Sequence, residues 1–165
     1  MAPPTKPIII DNDVISRLFI SGCLHRLLAI WPRGSFYITE QVVSEAQRWP
    51  SRGNELITVL NDLNLQGTII FTVINESSNE EISAYTELQL LKRLGRGESA
   101  SIAIASHRGY DLAIDDGVAK EICKELFPSI TVYGTSSLLN MAVSDGLVTR
   151  RECDSIFARI RRSNC

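Results

Sequence analysis

Pro7-Ile8-Ile9-Ile10-Asp11-Asn12-Asp13 carries three consecutive isoleucines straight into acidic residues. A short, wholly apolar run is too brief for a core helix. Its β-branched side chains suit a strand buried on both faces, as in a parallel sheet. The abrupt change to Asp11 marks the carboxyl end of that strand. Farther along, Tyr110-Asp111-Leu112-Ala113-Ile114 repeats the pattern and ends in Asp115-Asp116. Two acid-terminated strands running the same way deliver carboxylates to one edge of a sheet, where sites form in open α/β structures.

The rest of the chain supplies alternating elements. Val14 to Trp31 has apolar residues near helical spacing, with a break at Gly22, and Pro32-Arg33-Gly34 reads as a turn. Ser35-Phe36-Tyr37-Ile38 reads as a strand, followed by Thr39 as N-cap of a helix holding Glu45. Asn54 to Leu65 reads as a helix, and Thr68 to Ile74 as a strand rich in β-branched residues. Glu80 to Leu94 places Ile82, Tyr85, Leu88 and Leu91 on one helical side. Gly95-Arg96-Gly97 interrupts, and Glu98 to His107, rich in Ala and Ile, reads as a central helix. Val118 to Phe127 (helix), Ile130 to Tyr133 (strand), a helix opened by Gly134-Thr135, and a last helix capped by Thr149 complete the pattern. Strands alternating with helices imply an α/β fold: a three-layer α/β/α sandwich with a mainly parallel central sheet. Residues 1–6 read as a loose leader and 7–162 as a single domain.

Composition narrows the function classes. The chain has 165 residues, 44% hydrophobic and 22% charged, with a formal net charge of -2. That is ordinary for a globular protein and does not advertise a polyanion-binding surface, although local patches outweigh totals. No apolar stretch is long enough to span a membrane. No secretory signal is visible, and Cys23, Cys123, Cys153 and Cys165 form neither a C-x-x-C pair nor, with His25 and His107, a zinc set. These features predict a cytoplasmic protein with reduced thiols.

The acids carry the chemistry. Asp11, Asp13, Glu45, Glu98, Asp115 and Asp116 are candidates for an all-oxygen site, which suits hard ions such as Mg2+ or Mn2+. Each also has a plainer role. Asp13 can cap the helix after it, Glu45 can be a solvated helix residue, Glu98 can answer a helix dipole, and Asp115 or Asp116 can be an N-cap. One cap needs only one acid, so the adjacent pair is harder to explain that way. Thr135 fits a phosphate-positioning residue or part of a helix cap.

The order and surroundings of these acids resemble the PIN-domain nucleases, including toxins of the VapC type. The resemblance runs from Ile8 to about Ile160. It rests on Ile8-Ile9-Ile10-Asp11-Asn12-Asp13-Val14-Ile15, the helical Glu45 after Ile38-Thr39, Gly95-Arg96-Gly97-Glu98 with Ile102 and Ala105, Ile114-Asp115-Asp116-Gly117, and the closing Gly134-Thr135. It implies Asp11, Glu45, Glu98 and Asp116 as catalytic and metal-binding acids. It leaves Asp13, which stands where many members have Asn, and Asp115 as further ligands. It implies Mg2+ or Mn2+, an RNA substrate, a neutralising antitoxin protein and a homodimer. Lys92, Arg93 and Arg96 beside Glu98 are the cations to meet RNA phosphates, and Arg159, Arg161 and Arg162 near the C-terminus fit that role, a solvated helix face or an acidic partner equally.

Two rival readings stand beside it. Asp11-x-Asp13 also resembles the haloacid dehalogenase phosphatases, with Asp11 as nucleophile; that reading leaves Glu45 and Glu98 unexplained. A non-catalytic PIN-like module that binds RNA or protein is the other.

Overall fold

The computed structural model describes residues 6–29 and 34–163. All but Lys6 of the expected leader, Trp31 and the first two residues of the Pro32-Arg33-Gly34 turn lie outside the described residues. Elements follow in the order β1 (Ile8–Ile10), α1 (Asn12–Ile20), α2 (Leu24–Leu28), β2 (Phe36–Thr39), α3 (Glu40–Gln47), α4 (Gly53–Leu65), β3 (Ile69–Thr72), α5 (Asn79–Leu90), α6 (Arg96–Arg108), β4 (Asp111–Ala113), α7 (Gly117–Leu126), β5 (Val132–Tyr133), α8 (Thr135–Ser144) and α9 (Arg150–Ser163). All strand pairs are parallel, and the sheet order is β3-β2-β1-β4-β5. The expected α/β/α sandwich is present.

The isoleucine run occupies the centre. β1 pairs with β2 on one side and β4 on the other, with Ile10 opposite Ala113. Strand geometry sends alternate side chains to opposite faces. Ile8 and Ile10 join one core with Phe36, Ile38 and Ile69, covered by α1 to α4, α8 and α9. Ile9 joins the other with Leu112, Ile114 and residues of α5 to α7. All three isoleucines are buried, each worth roughly 1.5–3 kcal/mol of apolar transfer. This two-sided burial is why the run has no polar alternation.

Local signals held at the caps. The Thr39 hydroxyl accepts from the Val42 N–H at 3.1 Å, and the Thr149 hydroxyl from the Glu152 N–H at 3.1 Å. Gly22, at φ 72°, separates α1 from α2 as its left-handed backbone requires.

The strands expected over 68–74 and 130–133 are shorter, Ile69–Thr72 and Val132–Tyr133, and two helix boundaries also differ from expectation. α6 begins at Arg96, so Gly95 is its N-cap and the Gly95-Arg96-Gly97 stretch is largely helical. α5 stops at Leu90, and Leu91 is 73% exposed while Leu88 is buried. The turn after Leu90, with Arg93 at φ 58°, rotates the chain off the helical path and buries Leu94 instead. Cys23, Cys123 and Cys153 are buried free thiols. No helix among the described residues is long and apolar enough to cross a membrane.

Candidate active site

From β1 the chain steps to β2 and β3 in one direction; β4 and β5 lie on β1's other side. The carboxyl ends of β1 and β4 therefore flank the point where strand order reverses, the place where open parallel sheets leave a crevice. Asp11 leaves β1 there and Asp115-Asp116 follow β4.

Asp11 takes the N-cap position of α1 with extended backbone, but its side chain makes no capping bond. Its backbone N–H donates to the Ala113 carbonyl at 2.9 Å, which ties the residue to β4. The carboxyl is buried, and Oδ1 has no hydrogen-bond partner among the described residues. Burial raises its pKa to about 7, from 3.8; the Asn12 amide opposes the rise, and the charges of Glu98, Asp13 and Glu45 add to it.

Glu45, Glu98 and Asp116 are each held by a backbone amide. Glu45 projects from α3, and its Oε1 accepts from the Gly97 N–H at 2.9 Å. That approach depends on glycine: a Cβ at Gly97 would lie 2.5 Å from Glu45 Oε2. Glu98 reaches back to the start of its own helix, with Oε2 accepting from the Gly95 N–H at 3.0 Å. Burial raises its pKa, the Gly95 amide opposes this, and the charges of Asp116, Asp13 and Glu45 reinforce it. Asp116 caps α7, with Oδ1 accepting from the Ala119 N–H at 2.8 Å. Asp13 is exposed on the first turn of α1 and adds charge to the cluster.

Asp115 is differently placed from its neighbour. It accepts from the Thr135 N–H at 2.8 Å and the Thr135 hydroxyl at 2.5 Å, and pairs with the Arg17 guanidinium. Burial would raise its pKa, but Thr135 and Arg17 outweigh it and hold the carboxyl below its ordinary value. Thr135 is buried, with Gly134 as the N-cap of α8, and both its donors go to Asp115.

Cations rim the acids. Arg96, the first residue of α6, lines a cavity of about 140 Å3 with Glu45 and Arg48. A larger groove of about 350 Å3 shares Glu45 and Arg48 with it and is lined also by Asp13, Arg17 and Trp49 among others. Arg93 is exposed on the preceding turn. Lys120 Nζ stands over Gly134, 3.0 Å from where a Cβ would be. Arg17, Arg48, Trp49 and Lys120 escaped the sequence reading. Arg48 had a usable signal, since it follows Glu45 by three residues and shares its helix face.

Does this arrangement suit a divalent cation? Among the described residues no three Asp, Glu, His or Cys side chains stand close enough to enclose one directly. Yet the donors are all carboxylates, Asp11 Oδ1 is buried without a partner among the described residues, and burial, reinforced by mutual charge, raises two pKa values. Hard ions keep several waters, so spaced carboxylates meet them through water as well as directly. The residues present fit such an ion.

A parallel α/β/α sheet with carboxylates gathered at its switch point defines a class of protein with an acidic site on the sheet's carboxyl edge. A family model described as a PIN domain, DUF3368, matches residues 7–165, and the chain belongs to this PIN-domain family. PIN domains are typically nucleases, hydrolases that act on nucleic acid and generally use divalent metals. A comparison with curated proteins finds no match. Family membership decides between the two families that the strand-end Asp11-x-Asp13 pattern resembled.

Proposed function

We propose that this protein is a Mg2+- or Mn2+-dependent endoribonuclease whose metal-binding acids are Asp11, Glu45, Glu98 and Asp116. The observation that carries the reading is Asp11: a buried carboxyl with an unpartnered Oδ1, at the switch point, among other acids. Such a group is costly to keep ionised unless a cation accompanies it.

A bound ion would supply a water of lowered pKa and stabilise the leaving oxygen of a phosphodiester. The chain's own groups do the rest. Glu98, its Oε2 held by Gly95, has Oε1 left to face the ion or its water. Asp13 adds negative charge that strengthens cation binding. Asp115, engaged by Arg17 and Thr135, orients the turn that presents Asp116. Arg93 and Arg96 are assigned to the RNA backbone beside Glu98, and Thr135 to the Asp115 turn rather than to phosphate.

The VapC-type resemblance supports a toxin role with a neutralising antitoxin protein and a homodimer. The buried free cysteines agree with a reducing, cytoplasmic setting. Retention of acids at all four positions favours catalysis over a purely binding PIN-like module.

Incubation with total RNA, with Mn2+ or Mg2+ and with mapped cut sites, tests the proposal. Metal-dependent cuts that vanish in Glu98→Gln are expected. A complete lack of metal-dependent cleavage would sink it, and Glu98→Gln that keeps full function would point to the binding module.

A further inference from the structure

A backbone bond from the Asp11 N–H to the Ala113 carbonyl ties the ends of β1 and β4. Beyond it the two chains part. One enters α1, with Asp11 at its N-cap, and the other enters α7, with Asp116 at its N-cap. β5 behaves alike: the Ile114 N–H donates to the Tyr133 carbonyl, and the chain then enters α8. Three strand ends therefore leave the sheet as separate helices where like charges must be held together against their own repulsion.

One side-chain knot crosses all three. Arg17, on the last turn of α1, donates to Asp115 Oδ2. Thr135, the first residue of α8, donates to the same oxygen through its hydroxyl at 2.5 Å, and to Oδ1 through its N–H at 2.8 Å. The knot is sheltered, since Thr135 is buried and the Asp115 side chain is only 11% exposed. It is also close-fitted: a Cβ on Gly134 would stand 3.1 Å from Asp115 Oδ1 and 3.0 Å from Lys120 Nζ. Both Asp115 oxygens are engaged and its charge is answered by Arg17. Asp116, among the described residues, gives only Oδ1 to the Ala119 N–H.

We infer that Arg17 is a positioning residue of the metal site: through Asp115 and Thr135 it fixes the helix of Asp11 against the turn of Asp116, and Asp115 itself does not bind the ion. The inference rests on the reading of Asp11 and Asp116 as metal-binding acids. Charge and position give opposite signs here. Arg17 lines a groove with Asp13 and Glu45, so its positive field opposes a cation among these acids. Removal of that charge alone would tighten metal binding. Loss of a tie that orients ligands weakens it, by about 10- to 100-fold in metal sites.

Calorimetric titration of the full chain with Mn2+, without RNA and well below the melting temperature, reads the sign. Arg17→Met and Asp115→Asn should each raise the Mn2+ Kd about 10-fold. The double variant should be no weaker than either single one, because the two side chains act through one bond. Thr135→Val changes no charge and serves where Arg17→Met does not fold; its Kd should rise in the same direction. Glu81→Gln should lose stability with its Kd unchanged, which separates positioning from a general loosening of the fold. An unchanged or tighter Kd in Arg17→Met, an unchanged Kd in Thr135→Val, or a Glu81→Gln protein weakened as much as Arg17→Met would overturn the inference. Tighter binding in Arg17→Met with lost binding in Asp115→Asn would make Asp115 a ligand that Arg17 masks. A parent that binds no Mn2+ would overturn the metal-site reading together with this one, whereas a parent that binds and an Arg17→Met protein that matches it would overturn this one alone.

Discussion

Glu81 and Asp11 are both buried carboxyl groups, 2% and 3% exposed, yet their surroundings are opposite. Glu81 lies on the α5 side of the sheet and is fully met. The Arg108 guanidinium donates to both its oxygens, at 3.1 and 2.7 Å, and the Asn75 N–H donates to Oε1 at 2.7 Å. Arg108 also donates to the Thr72 hydroxyl and the Val73 carbonyl, so the pair locks the end of β3 to α5 and α6. Burial pushes the Glu81 pKa up, but these partners overrule it and hold it below the ordinary value. Asp11 has an unpartnered Oδ1 and three like charges around it. Asp111, at the opposite edge of the sheet, is intermediate: it too has a bare Oδ1, but Thr131 bonds the carboxyl and the Lys6 charge opposes the rise from burial. Burial alone therefore does not separate a structural acid from a functional one. What separates them is whether the fold supplies the compensating charge or leaves it to a ligand.

The largest expected consequence of the difference is in stability against pH. The folded state holds a proton on Asp11 up to about pH 7, whereas the unfolded chain releases it near pH 3.8. Between those values the folded state binds more protons, so stability falls as pH rises and levels off above about 7. Measured by denaturant melts without metal, and relative to Asp11→Asn, the loss should approach about 4 kcal/mol at most. A flat difference across that window would place the Asp11 pKa elsewhere.

Breaking the compensated acid should act oppositely. Glu81→Gln leaves Arg108 without its counter-charge and should cost about 3 kcal/mol of stability, read as a melting temperature lower by roughly 6–12 °C. Cleavage per folded molecule should be unchanged. A loss of activity without loss of stability would move Glu81 into the site.

The smallest effect should come from Gly97→Ala. The added Cβ, 2.5 Å from Glu45 Oε2, must displace that carboxylate. Cleavage should fall about 10-fold, the scale of losing a positioning contact around a metal ligand. Activity equal to the parent's would show that Glu45 need not sit where Gly97 holds it.

The contrast between the two acids marks the limit of what the sequence disclosed. β1 was legible because double-sided burial writes itself as an unbroken apolar run, β4 because Leu112-Ala113-Ile114 runs straight into acids, and Asp11 and Asp115-Asp116 because they end those runs. Nothing local distinguishes Glu81 from any solvated helical glutamate: its partner Arg108 lies 27 residues away. The roles of Asp115 and Asp116 were equally closed to sequence, since Arg17 is separated from Asp115 by 98 positions. Gly97 looked like a helix breaker because its reason, the Glu45 carboxylate, comes from another helix 52 residues back. Periodicity reports burial, but compensation is a tertiary property.

Melting the metal-free protein at about pH 8 with increasing Mn2+ tests the role of Asp11 most directly. Mn2+ should raise the melting temperature of the parent and of Glu81→Gln by similar amounts, and leave Asp11→Asn essentially unmoved. An Asp11→Asn protein stabilised by Mn2+ as much as the parent would contradict the assignment of Asp11 as the acid that the cation completes.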